Sequence, residues 1–223
     1  MAKIEVKTFT ENDWLEYIDD LAALEIEVFR SYPYLYDVSL EYEREYLKTY
    51  AESEQSGMII AFDGSKVIGA STCIPMVEVE DEVKKPFEES DYPIQKVLYL
   101  GESVLLKNYR KRGIGVAFYE QREQHAQDLN MDLTAFCCII RPDNHPLKPE
   151  GYRPLDKFWV KRGYQKQPDM KATMVWKDVH QEEESKKKLV FWVKELQNEN
   201  IQPGNESEYA LNKAIKMDEM LRE

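Results

Sequence analysis

Apolar and polar positions alternate from Ile4 to Phe9, which predicts an opening strand. Residues 10–13 then offer helix caps, and Trp14, Ile18, Leu21 and Val28 follow at helical spacing with Leu24 widening the stripe, so a first helix is expected to reach about Phe29. Ser39 can cap a second helix ending near Ala51, with Tyr42, Tyr46, Leu47 and Tyr50 facing inward. Residues 58–62 and 67–74 read as two strands joined by the tight turn Asp63-Gly64-Ser65-Lys66. The acidic stretch 78–92, with Pro86 and little periodicity, reads as an exposed loop or irregular insert. Residues 97–100 and 104–106 are apolar enough for a strand buried on both faces, interrupted by Gly101-Glu102-Ser103. Ile114, Phe118, Ala126 and Leu129 then fall on one helical stripe, and residues 133–140 form a second uninterrupted apolar strand. Strand, helix and strand in that order predict a right-handed parallel crossover. The proline-rich run 141–154 is expected to be a long loop at the C-terminal end of its strand, where open α/β sheets place ligands. A short helix over 155–162 stopped by Gly163 follows, then strands over 173–179 and 188–196 joined by a charged turn. The class predicted is α/β, with a mixed sheet flanked by helices. Residues 198–205 read as a Pro-Gly linker, and 207–221 as one further helix that packs on its own subunit or on a second one, as in a homodimer.

At 223 residues the chain suits one full domain over 1–197 with an appendage over 198–223. The net charge of -12 argues against nucleic acid as partner and leans toward a cationic substrate. Cys73, Cys137 and Cys138 form neither an even framework nor a CxxC pair, and residues 1–5 are no signal peptide, so a cytoplasmic protein is expected. With no apolar run near the ~20 residues that span a bilayer, no membrane partner is expected. Nor does any cluster have metal-ligand spacing, so no metal is expected.

The chemistry concentrates at Arg110-Lys111-Arg112-Gly113-Ile114-Gly115-Val116, where the strand becomes the helix. Glycines there allow positive φ and close approach of a ligand, and the first helical amides have no internal partner. That combination is an anion site suited to phosphate. A Walker loop would need Gly-Lys-Ser/Thr, and a dinucleotide fingerprint would need a small residue where Phe118 stands. What remains is RxxGxG, from Arg110 to Gly115, and it resembles the acyl-CoA pyrophosphate loop of the GCN5-related N-acetyltransferases, the GNAT superfamily. Phe158-Trp159-Val160-Lys161-Arg162-Gly163-Tyr164 resembles that superfamily's second signature, an FYxKxGF-like run, in the expected order and separation.

The resemblance implies acetyl-CoA as co-substrate. It also implies strands that splay between 97–106 and 133–140 to admit the pantetheine arm, and backbone amides near Val104 and Leu105 that hold it and polarise the carbonyl. Amides from Arg110 to Val116 would hold the pyrophosphate, with Asn144 a further cofactor contact. The segment between the first two helices lines the acceptor site in such proteins, which marks Tyr32, Tyr34 and Tyr36; Tyr32 and its neighbours otherwise read as a plug over the core edge. His145 is a candidate substrate contact in an accessible loop, whereas His125, on the apolar stripe, reads as a satisfied core or edge histidine. Glu102 is the candidate base, a carboxylate inside an apolar strand beside the glycine turn; the alternative is that it only accepts hydrogen bonds from a loop. Trp159 stands where many members carry an acidic tyrosine, and indole is no practical acid. Tyr152, then Tyr164 or Tyr99, could take that role, or the thiolate leaves unaided. Cys137 and Cys138 point to opposite faces of a strand as core filler. Together these predict an acetyl-CoA-dependent N-acetyltransferase acting on a primary amine of a small cationic acceptor, the alternative being a non-catalytic acyl-CoA-binding module.

Overall fold

The computed structural model describes residues 4–196, so the linker and helix expected over 198–221 lie outside the described residues. The elements are β1 (Ile4–Phe9), α1 (Ile18–Phe29), α2 (Leu40–Ala51), β2 (Gly57–Asp63), β3 (Lys66–Pro75), α3 (Asp81–Glu88), β4 (Val97–Tyr99), β5 (Ser103–Leu105), α4 (Ile114–Asp128), β6 (Leu133–Ile139), α5 (Asp156–Lys161), β7 (Gln165–Lys177) and β8 (Glu184–Glu195). A 3-10 turn over Asn12–Tyr17 leads into α1. The strands form one mixed sheet in the order β1-β2-β3-β4-β6-β8-β7, with β5 paired to β3. None of the described helices is long and apolar enough to cross a membrane.

Strand alternation divides the core between two faces. On β2, Ile59 and Ala61 join Ile68, Phe118 and Ala126 beneath α4. Their neighbours Met58, Ile60 and Phe62 join Leu21, Leu47 and Val67 beneath α1 and α2. Each Leu, Ile, Val, Met or Phe side chain among them contributes roughly 1.5–3 kcal/mol when fully buried. The Ser39 hydroxyl caps α2 by accepting from the Tyr42 amide at 3.2 Å, as the sequence predicts. Between β4 and β6 the pairing is parallel, Val97 to Leu133 through Tyr99 to Ala135, which is the crossover expected around α4.

Three expectations are corrected. The acidic stretch 78–92 contains α3, whose Val83 and Phe87 are buried one turn apart, and Phe87 sets its ring edge-on to Phe191 at 5.2 Å. Burial of that apolar pair outweighs the helix-breaking signal of Pro86. Tyr42 does not face inward but is 57 % exposed, because the buried stripe of α2 runs through Glu43, Leu47 and Tyr50. β7 begins at Gln165 rather than 173, its first half being polar and broken in register between Gln167 and Lys171.

Candidate functional site

The loop before α4 has the backbone that its glycines predict. Gly113 caps the helix at φ 86° and Lys111 lies at φ 64°, so left-handed residues bracket Arg112 and turn successive amides toward one side. Among the described residues the amides of Gly113, Ile114 and Gly115 have no backbone acceptor, whereas those of Val116 and Ala117 bond the Gly113 carbonyl at 2.9 and 3.1 Å. A Cβ built on Gly113 or Gly115 would meet nothing within 4 Å. The protein itself does not fill the space that these glycines keep clear. Arg110 Nε donates to the Leu105 carbonyl at 3.3 Å, and Arg112 donates to the Asn108 carbonyl at 3.0 Å while lying over the Tyr109 ring. Both arginines therefore brace the loop, and Lys111 is exposed beside them. A groove of about 700 Å³ lined by Lys66, Lys107, Asn108 and Arg112, with Glu27 and Asp63, runs alongside.

The strand leading to this loop is split. β4 pairs with β6 up to Tyr99, the Leu100 amide bonds the Ala135 carbonyl at 2.7 Å, and β5 pairs with β3 alone. The sheet therefore opens between β5 and β6, as the resemblance implies. The Thr72 amide bonds the Glu102 carbonyl and the Leu106 amide bonds the Ile68 carbonyl, so even-numbered positions form the hydrogen-bonded pairs. By that alternation Val104 spends its amide on β3, while Ser103 and Leu105 present theirs to the opening.

Glu102 occupies the break. Its carboxylate accepts from Tyr46 at 2.5 Å, from Tyr50 at 2.7 Å and from Thr72 at 2.7 Å, and its own amide donates to Thr72 Oγ1 at 2.9 Å. From the opposite face Arg122, only 1 % exposed, reaches the Thr72 carbonyl at 3.3 Å and the Glu102 carbonyl at 3.5 Å. Hydroxyls from α2 and β3 thus hold the carboxylate, while Arg122 of α4 holds the main chain of the same residue. Gly101 allows this approach, because a Cβ there would stand 2.3 Å from the Tyr50 hydroxyl and 2.5 Å from Thr72 Oγ1. Gly101→Ala is expected to displace Tyr50 and Thr72, two of the three hydroxyls that hold Glu102, and to lower any turnover that depends on its carboxylate at least ~10-fold. Comparing kcat with the Kd for CoA checks this, with CoA binding unaffected.

The loops supply walls. Tyr32 meets Tyr152 edge-on at 4.7 Å and His145 at 5.6 Å, so three of the residues marked by the sequence form one aromatic group. Tyr34 and Tyr36 instead flank Trp176 at 6.5 and 5.8 Å. Asn144 is exposed on the turn next to His145. Arg141, unmarked in the sequence, ties these walls together: it donates to the Pro33 and Tyr34 carbonyls at 2.8 and 2.7 Å and holds Asp178 with two bonds of 2.6 and 2.9 Å. Burial pushes the Asp178 carboxyl up, but Arg141 and Lys187 outweigh it and leave it below the ordinary range. Arg141→Met is expected to cost ~3 kcal/mol, the low end for breaking a buried pair, because Lys187 still faces Asp178 at 3.3 Å. Denaturant titration of the variant measures it.

The remaining candidates separate cleanly. Tyr164, 1 % exposed, is bonded to Thr134 at 3.0 Å and Glu123 at 3.1 Å within the core beneath α4. Trp159 lies against Phe136 and Trp192 in the same core. Tyr99 faces Cys137 Sγ at 3.2 Å where β4 and β6 part. Burial pushes the Cys137 thiol up to about 12, which removes it as a nucleophile. His125 is bonded to the Gln55 carbonyl at 2.9 Å, the satisfied edge histidine expected.

No protein sequence among curated relatives matches the chain. Solved structures share its fold. A ribosomal-protein-alanine N-acetyltransferase from Brucella melitensis superposes with a TM-score of 0.56 at 13% identity, over 86% of this chain and 99% of its own. An N-acetyltransferase from Staphylococcus aureus Mu50 gives 0.55 at 10% identity, over 88% and 100%. The yncA protein of Salmonella typhimurium, solved with its cofactor acetyl-CoA, gives 0.54 at 6% identity, over 90% and 98%. The sequence profile of the acetyltransferase (GNAT) family matches residues 19–149, more than half of the chain and spanning both the split strand and the glycine loop. With its sheet opening beside that loop, this chain belongs to the GNAT acetyltransferase family.

Proposed function

We propose that the protein is an acetyl-CoA-dependent N-acetyltransferase that transfers acetyl directly to a primary amine of a small cationic acceptor. The observation that carries this reading is the alignment of one open strand edge with one unpaired helix N-terminus and one anchored carboxylate. Gly113, Ile114 and Gly115 would hold the pyrophosphate through their amides, and the outward groups of Ser103 and Leu105 the pantetheine. Acetyl-CoA supplies an activated acyl group on a good leaving thiol.

Glu102 is the proposed base. It takes a proton from the acceptor's ammonium, directly or through water, so that the amine lone pair attacks the thioester carbonyl. As the C–N bond forms and the C–S bond breaks, the second ammonium proton ends on the thiol or in solvent. Burial pushes the Tyr152 phenol above its ordinary range. A thiol near ~8.5 is the easier group to release as its anion, so Tyr152 serves as a hydrogen-bond donor to the departing sulfur rather than as a full acid.

The second reading, an acyl-CoA-binding module without turnover, is favoured by one observation: Trp159 is packed at a tilt between Phe136 and Trp192 at the position where many members carry a tyrosine. Thiol release from acetyl-CoA across a panel of amines separates the two. The enzyme reading expects saturable release with at least one cationic amine; saturable CoA binding without release from any amine overturns it.

A further inference from the structure

Arg122 on α4 is a full charge placed where the fold has no need of one. Its side chain is among the largest of those fully buried, and among the described residues no carboxylate pairs with it. A cation taken out of water is ordinarily paired. The Tyr119 ring, 4.7 Å from the guanidinium carbon, offsets only part of that cost. Nor do its acceptors require it. Nε donates to the Phe118 carbonyl at 3.2 Å, one turn back on α4, Nη1 reaches the carbonyls of Thr72 and Glu102, and Nη2 has no acceptor among the described residues. Yet the Thr72 carbonyl already accepts from the Gly101 amide at 3.1 Å, and the Glu102 carbonyl accepts from the Thr72 amide and the Ser71 hydroxyl, each at 3.1 Å. The Phe118 carbonyl lies inside α4, where the helix supplies its own donor.

What the guanidinium does supply is direction. One planar group touches three main-chain carbonyls, from α4, from β3 and from the break between β4 and β5. The contacts that Ile114, Phe118 and Ala126 of α4 make with the sheet are apolar, and such contacts are non-directional. The N-terminus of the same helix carries the glycine loop, about 12 Å from Arg122 at ~1.5 Å per residue. We propose that Arg122 is a positioning residue for the transfer: it sets the register of α4 against the break, and so holds Glu102 at one place relative to the cofactor proposed for the loop. This assignment rests on the readings of Glu102 as base and of the loop as cofactor site.

Kinetics of the full chain with acetyl-CoA and a cationic amine test it. Arg122→Met keeps the length of the side chain, removes its charge and donors, and leaves every carbonyl it touched with another donor, so the variant is expected to fold. It is expected to lower kcat at least ~10-fold with the Kd for CoA unchanged, because small misplacement between reacting groups is costly. In the Glu102→Gln background the same substitution is expected to change kcat less than ~2-fold, there being no base left to place. Additive losses in this cycle overturn the proposal, because an arginine that only supports the fold acts with or without the Glu102 carboxylate. Arg122→Lys keeps the charge, but a point donor cannot bridge both carbonyls as the planar fork does, and the same loss is expected. Full recovery of kcat by lysine overturns the proposal.

A second readout needs no turnover. The amides of Gly101 and Glu102 bond the Thr72 carbonyl and Thr72 Oγ1, and in Arg122→Met their hydrogen exchange is expected to speed up at least ~10-fold while that of β6 stays as in the parent. Unchanged exchange at the break overturns the proposal. Faster exchange there without acetyl transfer to any amine supports Arg122 as the tie between α4 and the break and overturns the acetyl-transfer reading; acetyl transfer with additive losses in the cycle does the reverse. Full turnover in Glu102→Gln alone sinks the base reading, and the positioning role with it.

Discussion

Gly113→Val is expected to weaken CoA binding at least ~100-fold while the chain still folds, a loss of ~2.7 kcal/mol in affinity. The reason is conformational. Gly113 sits at φ 86°, where a β-branched residue is strained by ~1–3 kcal/mol. Relaxing that strain rotates the peptide units flanking the helix N-terminus and scatters the three amides proposed to receive the pyrophosphate. No clash with the protein contributes, because a Cβ at Gly113 meets nothing within 4 Å. The side chain instead enters the ligand's volume. Calorimetric titration with CoA, alongside a thermal melt, separates lost binding from lost folding; an affinity equal to that of the parent would falsify the phosphate-loop assignment.

Glu102→Gln is expected to lower kcat/KM by ~10²–10⁴, the range for removing a general base, with the Kd for CoA unchanged. Glutamine keeps the shape of the side chain and an acceptor oxygen. The Tyr46, Tyr50 and Thr72 hydroxyls can still find partners after reorienting, so the break between β4 and β5 keeps its form. What disappears is the ability to accept the ammonium proton. If Glu102 is only an anchor for those hydroxyls, the variant retains most of its turnover and the same pH–rate profile, and the base assignment fails.

Much of the architecture was legible because its signals are local. Ser39 caps a helix four residues ahead of its first buried residue, Gly64 turns a hairpin, and Gly113 lies at the strand-to-helix junction; each is specified within a few positions of itself. The glycine loop proposed to hold the cofactor was readable for the same reason. The side chains around Glu102 and the walls proposed for the acceptor were not. Tyr46 reaches Glu102 across 56 positions and Arg141 reaches Pro33 across 108, and no pattern in a single sequence registers such pairs. Glu25, Glu43 and Arg122 were hidden differently: charged residues on helices ordinarily read as a solvated face, yet all three are buried. Pro86 misled in the other direction, because two buried apolar side chains can hold a short helix together around a proline.

A single-turnover experiment bears most directly on the central claim, that acetyl passes from acetyl-CoA to an amine held beside Glu102 with no acyl-enzyme. Protein in excess over carbon-13-labelled acetyl-CoA is mixed with a cationic amine, quenched, and read by NMR and intact-protein mass spectrometry. The label is expected in a new amide of the acceptor as free thiol appears, with the protein mass unchanged throughout. Label accumulating on the protein before the acceptor, or acetyl-CoA that stays intact with every amine while CoA binds, would contradict it.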